Sequence, residues 1–263
     1  MTQRPTVATA DPLQLNAVSI IAGDRVLVKD LTFALRRGEF LAILGRNGSG
    51  KSLTLHAAAG LSALSHGQVL LDGEDLATLS RRQIAQRLGL LLQDREESLA
   101  LTALESALIG RHPHLKFWER EGSGDMSIAL EALRRVGLAD FSQRSVHTLS
   151  GGEQRRAAMA SLLAQHPQIY LLDEPTNHLD PHHQLQVLQI FRDLCSQGAS
   201  VIATLHDPSL AERFAERALL LFGDGRYQLG PVSQVLTTDE LSTLYLTPVE
   251  TVQVARRRAF VAV

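Results

Sequence analysis

Short apolar runs alternate with amphipathic stretches over most of this chain. Residues 15–35 alternate loosely between apolar and polar positions around Gly23-Asp24, a pattern that predicts an antiparallel hairpin. Continuous apolar runs, typical of strands buried on both faces, occur in "EFLAILG", "QIYLLDEP" and "SVIATLHD". A further strand is predicted in "GQVLLDGEDLA", and "RRQIAQRLGLLLQ" is predicted to be a helix that runs into a strand. "RALLLFGDGRYQLG" is predicted to form a closing hairpin. Because strands alternate with helices, one of them over 51–59, the pattern predicts an α/β fold around a mainly parallel sheet.

The middle of the chain has a different character. From about residue 95 to residue 164 the periodicity is helical, interrupted by the loop "HPHLKFWEREGSGD". We therefore expect a single domain over 13–263, which begins with an antiparallel β subdomain. Its core would comprise about 13–94 and 165–263, and an α-helical subdomain of about 95–164 would be inserted between them. Residues 1–12 lack the apolar centre of a signal peptide and are predicted to be a disordered lead-in.

Composition narrows the class of protein. The 263 residues carry a formal net charge of −2, which argues against a nucleic-acid partner, because such proteins usually show a basic excess. The one cysteine rules out an internal disulfide framework. No apolar run reaches the roughly 18–20 residues of a membrane helix. These features predict a cytosolic protein that, if it acts at a membrane, is held there by another subunit.

A first anion site is predicted in "GRNGSGKS". The segment fits the pattern G-x-x-x-x-G-K-[ST] and stands between a predicted strand and a predicted helix, whereas a chance glycine-rich turn would lack this context. Its glycines allow backbone amides to wrap a β-phosphate, Lys51 can reach the β- and γ-phosphates, and the Ser52 hydroxyl can bind Mg²⁺. The residues predicted to bind the nucleoside triphosphate are Gly45, Arg46, Asn47, Gly48, Ser49, Gly50, Lys51, Ser52 and Leu53.

Two adjacent acids follow the apolar run in "YLLDE". Side chains alternate across a strand, so Asp173 and Glu174 at its end can point in different directions. Asp173 is predicted to anchor Mg²⁺ through its water shell. Glu174 is predicted to orient or deprotonate the attacking water, and general base catalysis contributes about 10²–10⁴-fold. Alone, the pair would also fit a solvated turn before Pro175; beside a phosphate loop it predicts hydrolysis of the nucleotide.

A second anion site is predicted in "HTLSGGEQRR". Ser150 stands at an N-cap position and Glu153 at the matching position of a capping box. Gly151 and Gly152 allow close approach to the amides of a helix mouth, where anions bind. These residues alone do not show why one nucleotide-binding chain carries two such sites.

The ordered set of motifs resembles the ATP-binding cassette ATPases. The set is "GRNGSGKS", Gln93 after a strand, "LSGGE", "LLDEPTNHLD" and a histidine in "TLHD", and the match spans roughly 15–229. Many nucleotide-binding families share the phosphate loop, whereas "LSGGE" shortly before an acidic strand is nearly unique to cassettes. The resemblance implies a P-loop (RecA-like) core that binds and hydrolyses ATP, with Mg²⁺ as the metal cofactor.

The resemblance also implies two sets of residues around the nucleotide. Glu174, His206 and Gln93 would form the catalytic set, in which His206 contacts the γ-phosphate and holds the geometry around Glu174. The residues that would hold Mg²⁺ are Ser52, Gln93 and Asp173. Gln93 would in addition begin the segment that meets a membrane subunit.

For the second anion site the resemblance implies a role in another chain's nucleotide site. Two copies would form an ATP-dependent, head-to-tail dimer, with Asp180 at the dimer seam. The residues that would bind the γ-phosphate of ATP held by the opposing copy are Ser150, Gly151, Gly152 and Glu153.

One feature departs from the family. Cassettes usually place an aromatic ring in the first hairpin, where it stacks on adenine. Here Ile21 falls near that place, and no Tyr, Phe or Trp precedes Phe33. We expect weaker stacking or an apolar contact instead, and base selectivity stays open, so GTP and other triphosphates are candidate substrates beside ATP.

A finer resemblance concerns what the ATPase drives. "LTALESALIGRHPHL" and the closing "LSTLYLTPVETVQVARRRAFV" resemble the ATPases of iron-chelate, haem and vitamin B12 importers. This implies import of a metal chelate such as an iron-siderophore, haem or cobalamin. The implied partners are transmembrane permease subunits and, indirectly, a periplasmic substrate-binding protein, which would place the chain peripherally on the cytoplasmic face of the inner membrane. Residues 95–116 are expected to contact the permease, and 256–258 are interpreted as the solvated face of a last strand.

The string "EPTNHLD" favours a different function. Translation-associated ATPases with tandem cassettes often carry it, but those chains hold two cassettes joined by a long charged linker, which this sequence lacks. A soluble, non-transport cassette ATPase that acts as a translation or assembly factor is therefore the alternative to the importer.

Overall fold

The computed structural model describes residues 11–62, 64–93, 101–116, 118–254 and 257–263. The strands are β1 (Leu13–Ala22), β2 (Arg25–Leu35), β3 (Phe40–Gly45), β4 (Gln68–Leu71), β5 (Glu74–Asp75), β6 (Leu88–Leu91), β7 (Ile169–Leu172), β8 (Ser200–Thr204), β9 (Arg217–Leu221), β10 (Tyr227–Pro231), β11 (Val249–Val254) and β12 (Arg257–Ala262). The helices are α1 (Lys51–Ala58), α2 (Arg81–Arg87), α3 (Ala103–Ile109), α4 (Ser123–Arg135), α5 (Gly151–Gln165), α6 (Pro181–Ser196), α7 (Pro208–Phe214), α8 (Val232–Val235) and α9 (Thr238–Tyr245).

Two sheets organise these elements. Among the described strands, β10, β9, β3, β8, β7 and β6 are neighbours in that order, and the pairs are parallel except for β9–β10. An antiparallel sheet has the order β2, β1, β4, β5, and β11 pairs with β12 as a hairpin. The predicted α/β architecture, with a mainly parallel sheet and an N-terminal antiparallel sheet, is confirmed.

The central strand shows why apolar runs become inner strands. All six residues of β3 are buried. Phe40 and Leu44 belong to the hydrophobic cluster on one face of the sheet, and Leu41 and Ile43 belong to the cluster on the other. Full burial of such a side chain contributes about 1.5–3 kcal/mol. A strand covered on both faces therefore needs apolar residues at every position.

Helices α3, α4 and α5 pack against one another through small side chains. The buried alanines that they contribute to one cluster are Ala103, Ala107, Ala129, Ala132, Ala157, Ala158, Ala160 and Ala164. Gly110, directly after α3, lies so close to α5 that a Cβ there would approach the Ser161 carbonyl oxygen to 2.0 Å. The division of the chain into a core and a helical subdomain stays a prediction.

Local differences from the predictions occur at the start of the chain and in one loop. Residues 1–10 of the predicted lead-in lie outside the described residues, whereas Pro12 is buried and its carbonyl accepts a hydrogen bond from the Asp72 amide (3.0 Å). The loop predicted over 112–125 ends early, because α4 begins at Ser123. No helix in the described ranges combines the length and the apolar character that crossing a membrane requires.

The basic run near the C-terminus is not simply a solvated face. The Arg258 guanidinium donates to both carboxylate oxygens of Glu212 (2.9 and 2.8 Å) and lies 5.6 Å from the ring centroid of Phe260. Arg257 is exposed, and residue 256 lies outside the described residues. The prediction is wrong for Arg258, because this arginine joins the β11–β12 hairpin to α7.

We predict that Gly110→Ala destabilises the protein by about 1–3 kcal/mol, because the new methyl group would push α3 away from α5. Urea unfolding measures the change. Gly124→Ala in α4 is the matched control, since a Cβ there would meet nothing within 4 Å and alanine favours a helix. Equal losses of unfolding free energy in the two variants would contradict the close approach of α3 and α5.

Candidate functional site

The loop between β3 and α1 curves around the ammonium group of Lys51. Gly48 and Gly50 adopt φ angles of +77° and +100°, a left-handed backbone that glycine takes without strain. Lys51 is buried, and its Nζ donates hydrogen bonds to the carbonyl oxygens of Gly45 (2.9 Å) and Arg46 (3.2 Å). The ammonium group is therefore fixed at the loop, where it can attract phosphate oxygens.

A cavity of about 530 Å³ opens over this loop. The loop and the start of α1 form one side of it, and Gln93, Glu174, Asn177 and His206 come from elsewhere in the chain. The volume is within the range of pockets that bind small molecules. The fold thus gathers all three residues of the predicted catalytic set around the predicted phosphate loop.

The side of the cavity near the first hairpin is apolar. Ala22 and Leu27 line it, whereas Ile21 is 44% exposed. Ala22 of β1 and Leu27 of β2 are therefore the apolar residues beside the position of Ile21, and an apolar contact with the base stays a prediction.

Glu174 is held in a fixed orientation at the end of β7. Its Oε1 lies 2.7 Å from Nε2 of His206, and its other carboxylate oxygen accepts a hydrogen bond from the Asn177 side-chain amide. Its backbone amide donates to the Thr204 hydroxyl (2.7 Å). The residue has φ of +47°, a conformation that non-glycine residues seldom adopt and that clusters at functional sites.

The predicted magnesium ligands fit this arrangement. Asp173 is buried, and its Oδ1 accepts a hydrogen bond from the Thr204 hydroxyl (2.7 Å). Ser52 and Gln93 are among the residues that line the cavity, and Asp173 is not among them. A hydroxyl, an amide oxygen and a carboxylate are the oxygen ligands that Mg²⁺ prefers, and this ion usually retains several waters.

Asn177 and Thr204 also bind Glu174, and neither is predicted from the sequence. Asn177 follows Glu174 by three residues in "DEPTN", so a turn after the strand brings its amide back to the carboxylate. Thr204 is a fully buried polar residue at the end of β8, beside β7. For Thr204, the feature in the sequence that could have indicated a role is a polar residue at the end of an otherwise apolar strand.

The second anion site forms the helix mouth that the sequence predicts. Ser150 is the N-cap of α5: its amide donates to Glu153 Oε2 (2.8 Å), and the Glu153 amide donates to Ser150 Oγ (3.4 Å), which confirms the capping box. The described residues that line the cavity include none from 150–153. The fold therefore does not bring this helix mouth to the chain's own phosphate loop.

Asp180 caps the next helix. Its carboxylate accepts hydrogen bonds from the His183 backbone amide (3.0 Å) and lies 2.8 Å from His183 Nδ1. The hydrogen bond from that amide is the main cause that lowers the pKa of Asp180. The side chain is exposed on the protein surface, and its place at a dimer seam stays a prediction.

A family comparison decides the class of this protein. The family model described as ABC transporter matches residues 28–177, more than half of the chain. The chain belongs to the ABC transporter family. Its ABC relatives are ATP-binding proteins, and the chain is accordingly an ATPase that binds ATP.

Curated ABC relatives are similar over most of this chain. A hemin import ATP-binding protein of Deinococcus radiodurans is 38% identical over 243 residues, which cover 90% of this chain and 91% of the relative. A cobalamin import ATP-binding protein of Halobacterium salinarum is 37% identical over 227 residues, which cover 86% of this chain and 56% of the relative.

Solved ABC structures have the same fold. A metal-chelate type ABC transporter in an inward-facing conformation matches with a TM-score of 0.83 and 27% identity, covering 96% of this chain and 97% of that chain. The dimeric ATP-binding cassette MJ0796, bound to ADP and phosphate in a post-hydrolysis state, matches with a TM-score of 0.73 and 29% identity, covering 84% of this chain and 98% of that chain.

We predict that the ATP affinity of this ABC ATPase falls as the pH rises, and that the fall begins below pH 10.5, the ordinary pKa of a lysine side chain. Burial lowers the pKa of Lys51 from that ordinary value, although the nearby charges of Glu174 and Asp173 act in the opposite direction. The ammonium group therefore loses its charge, and its attraction for phosphate, at a lower pH than a free lysine. Binding of a fluorescent ATP analogue between about pH 7.5 and 10 measures the effect.

Lys51→Arg provides the control for this prediction. A guanidinium group does not titrate in this range, so the affinity of the variant, whatever its absolute value, should not change with pH. Identical pH dependence in the variant and the parent protein would show that another group causes the change.

Proposed function

We propose that this ATPase is the nucleotide-binding subunit of an ABC importer for a metal chelate, such as an iron-siderophore, haem or cobalamin. The observation that carries the proposal is similarity over nine-tenths of the chain to an ATPase named for hemin import. Similarity to a cobalamin import ATPase and to a metal-chelate type transporter supports the same substrate class. The protein would act on the cytoplasmic face of the membrane, bound to its permease, and a periplasmic substrate-binding protein would deliver the chelate.

The permease would dock on residues 95–116, of which 95–100 lie outside the described residues. The described part is joined to two helices. Arg111 and His114 form hydrogen bonds with the last carbonyls of α5 (2.8 and 2.7 Å), and Arg82 of α2 donates to the Pro113 carbonyl (3.1 Å). A permease that displaces this segment would therefore act on α5, whose other end carries Ser150.

Two copies of the chain would bind two ATP molecules between them. Support comes from the helix mouth at Ser150, none of whose residues 150–153 lines the cavity of its own chain, and from related cassettes that form dimers. A helix N-terminus carries about +0.5 elementary charge, which would attract the γ-phosphate of ATP on the opposing copy. Dimer formation would then depend on ATP.

Hydrolysis would follow from the fixed carboxylate of Glu174. This group would orient or deprotonate the attacking water, while His206, bound to the same carboxylate, would contact the γ-phosphate. Bound Mg²⁺, held by Ser52, Gln93 and through water by Asp173, would supply positive charge to the phosphates. Reopening of the dimer after hydrolysis would reset the permease.

Mixing two inactive variants tests the shared nucleotide site. Lys51→Met disables the phosphate loop and Ser150→Phe the helix mouth, so each variant alone should lose turnover. A mixed dimer restores one intact site from the phosphate loop of one chain and the helix mouth of the other, so phosphate release should return to about a quarter of the parent rate. If Ser150 serves its own chain's nucleotide, mixing restores nothing, and Ser150→Phe loses ATP binding together with hydrolysis.

Reconstitution tests the importer. We expect the ATPase to co-purify with a polytopic membrane protein and to drive uptake of haem, cobalamin or an iron-siderophore into vesicles that hold this complex and ATP. Vesicles with the Glu174→Gln subunit should take up none, because turnover is lost while assembly is kept. Sedimentation with ribosomes, without a membrane partner, would instead favour the soluble translation or assembly factor.

A further inference from the structure

Arg155 is a buried arginine within α5. Its side chain is 7% exposed, yet its guanidinium group reaches out of the helix to the carboxyl ends of two parallel strands. Nη1 donates to the carbonyl oxygens of Leu92 and Gln93, the second at 3.1 Å. Nη2 donates to the carbonyl oxygens of Asp173 and Glu174, the second at 2.9 Å. One side chain thus binds the backbone of four residues at the ends of β6 and β7.

A buried guanidinium group needs such partners. Removing its charge from water is costly unless hydrogen bonds replace the lost hydration. The planar, rigid fork of arginine suits two neighbouring pairs of carbonyl groups, whereas the single ammonium of lysine does not. The arrangement therefore depends on arginine in particular at position 155.

We propose that Arg155 is a positioning residue for ATP hydrolysis. It ties α5, the helix capped by Ser150, to the backbone of Glu174 and Gln93. The inference rests on the proposed role of Glu174 as the residue that orients the attacking water. Arg155 thus joins α5, whose N-terminus would bind the partner's ATP, directly to Glu174, which would act on the ATP of its own chain.

The backbone of Glu174 shows what the arginine does. Its φ of +47° is unfavourable for a residue with a side chain and persists only when neighbours hold it. Arg155 donates to the carbonyl groups of the two peptide bonds that flank the Cα atom of Glu174, which are those of Asp173 and Glu174. The Thr204 hydroxyl accepts a hydrogen bond from the Glu174 amide. Without Arg155 the backbone can relax, and the carboxylate leaves the position where it contacts His206.

The next residue in the chain supplies a matched control. Arg156 lies on the same helix, and its Nη1 donates to the carbonyl oxygens of Val136 and Gly137 (3.0 and 3.4 Å), which follow α4. These contacts stay within the group of helices α3–α5 and do not reach the strand ends. Arg156→Gln therefore removes a charge and two hydrogen bonds from α5 without touching Glu174.

The first experiment compares kcat, KM and ATP binding in Arg155→Gln, Arg155→Lys and Arg156→Gln. We expect Arg155→Gln to lower kcat by about 10–100-fold, because a misplaced reactive group costs on that order, while the monomer's affinity for a fluorescent ATP analogue stays within about twofold. Arg155→Lys should still fold, with a Tm lowered by the carbonyl groups it leaves unpaired, and should lose kcat at an unchanged ATP affinity, whereas Arg156→Gln should keep kcat. A kcat in both Arg155 variants equal to that of Arg156→Gln would overturn the proposal, and so would parallel losses of Tm, ATP affinity and kcat.

A double-mutant cycle then separates this inference from the function on which it rests. In single-turnover assays, Arg155→Lys should lower the rate strongly in the parent protein and little in the Glu174→Gln background, because it acts through that carboxylate. Losses that multiply would show that Arg155 acts elsewhere. If Glu174→Gln itself hydrolyses ATP at the parent rate, the proposed role of Glu174 fails; if it is inactive while Arg155→Lys is fully active, only the present inference fails.

Discussion

Parallel pairing of β3, β8, β7 and β6 brings four carboxyl ends to one edge of the sheet, and the site depends on this register. Ile43 of β3 is opposite Thr204 of β8, and Leu172 of β7 is opposite Leu91 of β6. The phosphate loop, His206, the two acids and Gln93 follow these four strands in space, although up to about 160 residues separate them in the chain. The cavity is therefore a property of the sheet order more than of any one motif.

At this same edge, backbone amide and carbonyl groups lack hydrogen-bond partners on a neighbouring strand. A buried carbonyl or amide without a hydrogen bond is costly, so side chains must replace the missing strand neighbours. Thr204 does this for the Glu174 amide, and Arg155 for carbonyl groups at the ends of β6 and β7. The residues that satisfy the backbone here also determine where the reactive carboxylate points, so stability and chemistry share the same contacts.

Local pattern predicts the elements of this fold better than the contacts between them. Apolar runs predict the inner strands, and the phosphate loop and capping box are recognisable because each is made by neighbouring residues. Arg155 is one of two adjacent arginines near the start of a helix, and nothing beside it in sequence indicates that its side chain reaches the end of β7. The left-handed backbone of Glu174 is equally hidden, since Arg155 and Thr204, which are distant in sequence, bind its carbonyl and amide groups. Apart from Asn177, which lies three residues after Glu174, the missed residues are those whose role depends on chain segments that meet only after folding.

The alanine-rich packing of α3, α4 and α5 has a mechanical consequence. Methyl side chains have no rotamers, so at the alanine contacts the helices cannot adjust by rearranging side chains, as they can at the leucines and the methionine of the same cluster. A displacement at Arg111 and His114, which bind the last carbonyls of α5, would therefore tend to move the whole helix, including the end at Ser150. Such a movement would strain the hydrogen bonds of Arg155, because they join α5 to the ends of β6 and β7.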